Sequence, residues 1–216
     1  MAYDSYIRAM SPKGFFVTGI GTEVGKTVAS AVLVRSLQAN YWKPVQCGDL
    51  DYTDTHKIQE WAKHEHLHCF PERYALQMPA SPHIAAATEK VDISLDDFSL
   101  PESDKPLIVE GAGGLLVPLN DKDTMLDLIA SLKLPVILVS RHYLGSINHS
   151  LMSFECLRQR NIPIHGILFN GNEHPSTESI IEKMTDVPIL GRIGEMDKVD
   201  AETIQHWSEK LKKQFA

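Results

Sequence analysis

GIGTEVGKT, residues 19–27, comes just after the apolar run GFFV at 14–17, with Thr18 between them. A chain that leaves a strand through Gly19, Gly21 and Gly25 and then starts a helix at Lys26 and Thr27 is suited to phosphate. The glycines let the loop curl with its N–H groups pointing inward, and the helix N-terminus adds partial positive charge. Lys26 can reach the outer phosphates, and the Thr27 hydroxyl can ligate a Mg²⁺ bound to them. The spacing is one residue longer than the common G-x-x-x-x-G-K-[ST], because counting back from Gly25 reaches Ile20 before Gly19. Strand before and helix after weigh against a chance glycine turn. The loop implies a nucleoside triphosphate without saying what it is used for.

Outward from the loop, short apolar segments alternate with amphipathic ones. GFFVTG, YWKPV, PLIVEG, PVILVS, HGILFNG and PILGRI read as strands. Most are β-branched and continuously apolar, which suits a parallel sheet buried on both faces. Helices are expected over Gly25–Ala39, Asp54–Glu65, Ser81–Glu89, Thr124–Leu132, Ser146–Gln159, Thr177–Met184 and Ala201–Phe215. The alternation predicts an α/β three-layer sandwich with a mostly parallel central sheet, P-loop NTPase-like, as a single domain over 1–216. The link QAN before the second strand is short, so a short element is expected at that edge.

Composition narrows the partners. A net charge of −7 disfavours nucleic acid and anionic membranes. Cys47, Cys69 and Cys156 are odd in number and far apart, so neither a disulfide framework nor a cysteine zinc site is expected. MAYDSYIRAM lacks an apolar leader core, and no apolar run approaches bilayer-spanning length. A soluble protein of the cytoplasm is the expectation.

A phosphate-bound Mg²⁺ wants carboxylates as well as a hydroxyl. Glu110 ends the apolar strand PLIVEG, where ligands gather in open α/β sheets. Burying a carboxylate there is costly without a cation, which favours a metal role over a glutamate in a tight turn. Gly111, Gly113 and Gly114 allow close backbone approach. Asp54 precedes an amphipathic helix, and spacing alone makes it an N-cap rather than a second ligand. Lys43 follows the short second strand, either as a solvated charge or facing the same pocket; Pro44 keeps its backbone extended.

GIGTEVGKT, YWKPVQCG, ASPHIAA, LIVEGAGGLLVPL, PVILVSRHYLGSINH and GILFNG occur in this order. The set resembles the dethiobiotin synthetase family from about Phe15 to Ile193, most specifically in T-E-V-G-K-T, V-E-G-A-G-G and L-G-x-I-N-H. The resemblance implies a homodimer that converts 7,8-diaminononanoate, CO₂ and ATP to dethiobiotin, ADP and phosphate. It implies Thr27, Asp54 and Glu110 as Mg²⁺ ligands, and Lys43, with Lys26, as the catalytic lysines. Thr22, Glu23, Val24, Gly25, Lys26, Thr27 and Val28 would wrap the phosphates, with Gly111, Ala112 and Gly113 close by. Asn170 and Gly171 would read the base. Lys43, Cys47 and Ser81 would meet the diamine, and Gly145, Ser146 and Asn148 its carboxylate across the dimer interface.

The chain departs from the family pattern in places. Gly21 replaces a common Asp, Cys47 a common serine, and GRIGEMDKV the usual G-x-I-P; no tyrosine follows Asn170. HEHLHC at 64–69 reads as a helix end and loop rather than a metal site, EKLKKQ as an exposed face, and Leu151, Met152 and Phe154 as helix core or dimer contact. Two rivals stand beside the main reading. Another P-loop amidoligase would usually carry a fused glutaminase, for which 216 residues leave no room. A partitioning-type nucleotide switch would carry an extra loop lysine, which GTEVGKT lacks. Its membrane-targeting helix finds little support in AETIQHWSEKLKKQF, which reads as weakly amphipathic.

Overall fold

The computed structural model describes residues 13–215; the stretch MAYDSYIRAM, read for a leader, lies outside the described residues. Seven strands form one sheet in the order β4-β2-β6-β1-β7-β8-β9. They are β1 (Gly14–Gly19), β2 (Asn40–Trp42), β4 (Cys69–Phe70), β6 (Leu107–Gly114), β7 (Val136–Arg141), β8 (Ile164–Asn170) and β9 (Ile189–Ile193). A second sheet pairs β3 (Val45–Cys47) with β5 (Tyr74–Leu76). Every pairing between these strands is parallel.

The helices are α1 (Lys26–Leu37), α2 (Asp54–Trp61), α3 (Pro82–Glu89), α4 (Met125–Leu132), α5 (Ser146–Gln159), α6 (Pro175–Thr185) and α7 (Ala201–Leu211). Strand alternation divides the core into two layers. Val17, Ile108, Ile137 and Leu168 face α1, α2 and α7 through Leu33, Ile58 and Ile204. Phe16, Val109, Leu138 and Phe169 face α4, α5 and α6 through Ile129, Phe154 and Ile181. The expected three-layer sandwich is the observed architecture.

Some local expectations are corrected and others hold. YWKPV is not one strand. Pro44 has no N–H for a ladder, and the chain leaves the main sheet after Trp42 to join the second sheet at Val45. The Pro44 carbonyl accepts from the Arg73 and Tyr74 amides at 2.9 and 3.0 Å, which ties this crossing down. The edge strand after QAN is three residues long. Glu110 is in no tight turn: β6 continues to Gly114, with an irregular register against β1. α2 stops at Trp61, so His64 and His68 do not share a helical face. α7 is more amphipathic than its sequence suggests, burying Ile204, Ser208 and Leu211 at intervals of four and three residues. Phe154 is core, whereas Met152 is exposed. Among the described residues no helix is long and apolar enough to cross a membrane.

Candidate active site

In this strand order the chain moves from β1 to one side and from β6 to the other, so the crevice opens at the carboxyl ends of β1 and β6. A cavity of about 740 Å³ lies there. Thr22, Glu23, Gly25, Lys26, Thr27 and Val28 form its phosphate-loop wall. Gly25 has φ +90°, and a Cβ on it would lie 2.0 Å from Asn170 Nδ2, so only glycine fits. The Asn170 amide donates to the Val24 carbonyl at 3.1 Å, bracing the loop from β8. Lys26 Nζ donates to the Gly21 carbonyl at 3.0 Å, curling the loop over itself.

The opposite wall carries Lys43, Cys47, Asp54, Ser81, Glu110, Ala112 and Gly113. Asp54 is not an N-cap. Thr53 caps α2, its hydroxyl accepting from the His56 amide while His56 Nδ1 accepts from the Thr53 amide. This box sets Asp54 in the first helical turn, where partial positive charge favours a carboxylate. Lys43 Nζ lies 2.6 Å from Asp54 Oδ2 and 3.1 Å from Glu110 Oε1. Thr27 Oγ1 donates to the same Glu110 Oε1 at 3.0 Å. Lys57 Nζ holds Asp54 Oδ1 at 3.0 Å, and the Tyr41 hydroxyl donates to Glu110 Oε2 at 3.0 Å.

Burial tunes these groups. It lowers Lys26 to about 8, with Glu110 opposing and Lys43 adding to the fall. Burial would also lower Lys43, but Glu110 and Asp54 outweigh it and hold the ammonium above its usual value. Burial would raise Asp54, yet Lys43 and Lys57 keep it down at about 2. Burial, with Glu110 beside it, pushes Tyr41 well up, so its hydroxyl stays a donor. The Cys47 thiol is pushed up to about 11 by burial.

The donor set fits a small hard cation. Two carboxylates and a hydroxyl offer only oxygens, and Asp54 and Glu110 already converge on one ammonium. HEHLHC makes no such set: His64 Nε2 bonds the Ala39 carbonyl at 3.1 Å, and His68 packs edge-on to Phe70. Among the described residues no group of three or more His, Cys, Asp or Glu could hold a metal.

A family model described as an AAA domain matches residues 13–203. The ATP-dependent dethiobiotin synthetase of Christiangramia forsetii is 48% identical over 204 residues, 94% of this chain and 98% of that one. That of Cytophaga hutchinsonii is 46% identical over 200 residues, 92% of this chain and 97% of its own. This chain belongs to the dethiobiotin synthetase family. A putative plasmid partition protein of Borrelia burgdorferi, solved with AMPPNP, superposes with a TM-score of 0.60 over 95% of this chain and 98% of that one. At 12% identity this likeness shows the P-loop fold and nothing more. Family membership therefore decides between the enzyme and the partitioning switch, which share that fold.

The positions that the dethiobiotin synthetase pattern singles out do not all gather in one place. Val24, Gly111, Asn170 and Gly171 do not line the cavity. Gly145, Ser146 and Asn148 begin α5 outside the cavity, with Ser146 buried and Asn148 exposed. The cavity also takes in Lys57, Trp61, Gln46 and Asp49, which the sequence reading missed. Lys57 had a signal, a basic residue three positions after Asp54 on one helix. Tyr41, on β2 two residues before Lys43, had only its strand parity.

Proposed function

We propose that this chain makes dethiobiotin from 7,8-diaminononanoate, CO₂ and ATP by way of a carbamate and a carbamic–phosphoric anhydride. The observation that carries the reading is Lys43, held between Asp54 and Glu110 on the wall facing the phosphate loop. One amine adds to CO₂ and loses a proton, giving the carbamate. A carbamate oxygen attacks the γ-phosphorus, and ADP leaves. The second amine attacks the carbamoyl carbon, closes the ureido ring and expels phosphate.

Phosphoryl transfer of this kind needs positioning and charge neutralisation above all. Lys26 and the α1 amides hold the β- and γ-phosphates. Lys43 lies between carbamate and γ-phosphate, where its charge offsets two anions that repel each other. Thr27, Asp54 and Glu110 would hold Mg²⁺, which would supply positive charge against the triphosphate. Glu23, Val24, Val28, Ala112 and Gly113 enclose the phosphates. Cys47 and Ser81 orient the diamine, and Asn170 with Gly171 sets the base.

The protein acts as a homodimer in the cytoplasm, each chain forming one domain. Tyr143, Leu144 and Met152 expose apolar surface around the start of α5, and this surface supports the dimer. Pairing there would bring Gly145, Ser146 and Asn148 to the second chain's cavity, which accounts for their distance from their own. Leu144→Glu should turn dimer to monomer in sedimentation; a native-like dimer in that variant removes the interface.

The decisive assay is phosphate release with ATP, bicarbonate and diamine, each omitted in turn. Release is expected only when all three are present. Release that ignores the diamine would overturn the reading and leave a nucleotide switch.

A further inference from the structure

Glu110 is fully buried, yet it has three partners, Thr27 on α1, Tyr41 on β2 and Lys43 on the crossing after β2. Oε1 meets Thr27 at 3.0 Å and Lys43 at 3.1 Å, both of which line the cavity. Among the described residues Oε2 meets the Tyr41 hydroxyl alone, at 3.0 Å, and Tyr41 lies outside the cavity wall. The pairing follows from register. Tyr41 on β2 stands opposite Ile108 on β6. Glu110 is two residues further along β6, on the same face and diagonal to Tyr41. A phenol is long enough to cover such a diagonal. Both side chains lie in the layer beneath α1, whose first turn brings Thr27 to the other oxygen.

We propose that Tyr41 is a positioning residue: its hydroxyl fixes the rotation of the Glu110 carboxylate so that Oε1 is presented to the metal. This rests on the reading above that Glu110 holds Mg²⁺. Without the hydroxyl, Oε2 would be a buried acceptor with no donor, and the carboxylate would turn to share Lys43 or Thr27 between its oxygens. A hydrogen-bonded partner behind a ligating carboxylate changes metal affinity by about 10–100-fold.

The test is Mn²⁺ binding by electron paramagnetic resonance, with AMPPNP present, followed by displacement with Mg²⁺. Tyr41→Phe should raise the metal dissociation constant about tenfold and leave metal-free AMPPNP binding unchanged. Replacing Tyr41 with 4-aminophenylalanine keeps a donor at the same reach and should preserve native affinity; this variant decides the matter if the phenylalanine protein does not fold. Glu110→Gln serves as the benchmark and should weaken the metal at least as much as Tyr41→Phe. If Glu110→Gln binds metal normally, the assignment of Glu110 itself fails. If Glu110→Gln weakens it while Tyr41→Phe binds like the native protein, the Tyr41 proposal alone is overturned. Equal loss in the phenylalanine and aminophenylalanine proteins would also overturn it.

Discussion

Two largely buried ion clusters stand on the same rim of the sheet, on either side of β1 and β7. One joins Lys43, Asp54 and Glu110. The other joins His142, Glu178 and Arg192: His142 Nε2 lies 2.8 Å from Glu178 Oε1, and Arg192 pairs with Glu178 Oε2. The second cluster ends on backbone. Glu178 accepts from the His174 amide at 3.1 Å, and Arg192 donates to the Asn172 carbonyl at 3.3 Å, so the pair clamps the loop after β8. The first faces a cavity, and among the described residues its central lysine is held by side chains alone, with Lys26 and Lys57 close by. Burial and charge pairing are therefore common to structure and to chemistry. What separates them is an opening beside the cluster and partners that a ligand can replace.

That contrast can be broken in a definite order. Lys43→Ala should lower kcat by about 10²–10³-fold, the scale of losing one preorganised charge donor, while nucleotide binding by calorimetry stays near native. Unchanged turnover would reduce the first cluster to a structural pair. Glu178→Gln should do the opposite, costing about 1–2 kcal/mol of stability by taking the charged partner from the part-buried Arg192 guanidinium, with kcat almost unaffected. Thermal unfolding alongside turnover checks both halves.

Acid should then erase that second difference. Burial would raise Glu178, but Arg192, the His174 amide and His142 overcome it and leave the carboxyl below its usual 4.5. A depressed carboxyl contributes stability above its unfolded value and loses it as pH falls through the folded one. Native and Glu178→Gln melting temperatures should differ fully at neutral pH and converge below about 4.5. A constant gap would mean that the charge of Glu178 is not what stabilises. The smallest effect belongs to the edge of the first cluster. Cys47→Ser replaces a weak donor with a stronger one and should lower the diamine KM by about threefold, the scale of one modest hydrogen bond.

The central strands were legible because β1, β7 and β8 are long, apolar runs that can be buried on both faces and little else. β4 and β5 were not, since CF and YAL are too short to show a period. YWKPV misled because its apolar residues belong to two different sheets, and only the contacts beyond Pro44 reveal the break. At the site, the loop was written in its glycines and Glu110 in the cost of ending an apolar strand with a carboxylate. Asp54 was hidden because Thr53, one residue earlier, is an equally good cap. Tyr41 was hidden because a tyrosine beside a tryptophan in a strand reads as core, and its hydroxyl has meaning only across the register to β6. The α5 start carries a family motif, yet within one chain it lies outside the cavity.

The crossing at Pro44 has a mechanical consequence. With that carbonyl fastened to two successive amides, the peptide next to Lys43 is a fixed shoulder, and the four-carbon stem is the only joint left to move. Any travel of the ammonium from its carboxylates toward an incoming anion is therefore a swing of the arm alone, quick and short, that asks nothing of the surrounding sheets.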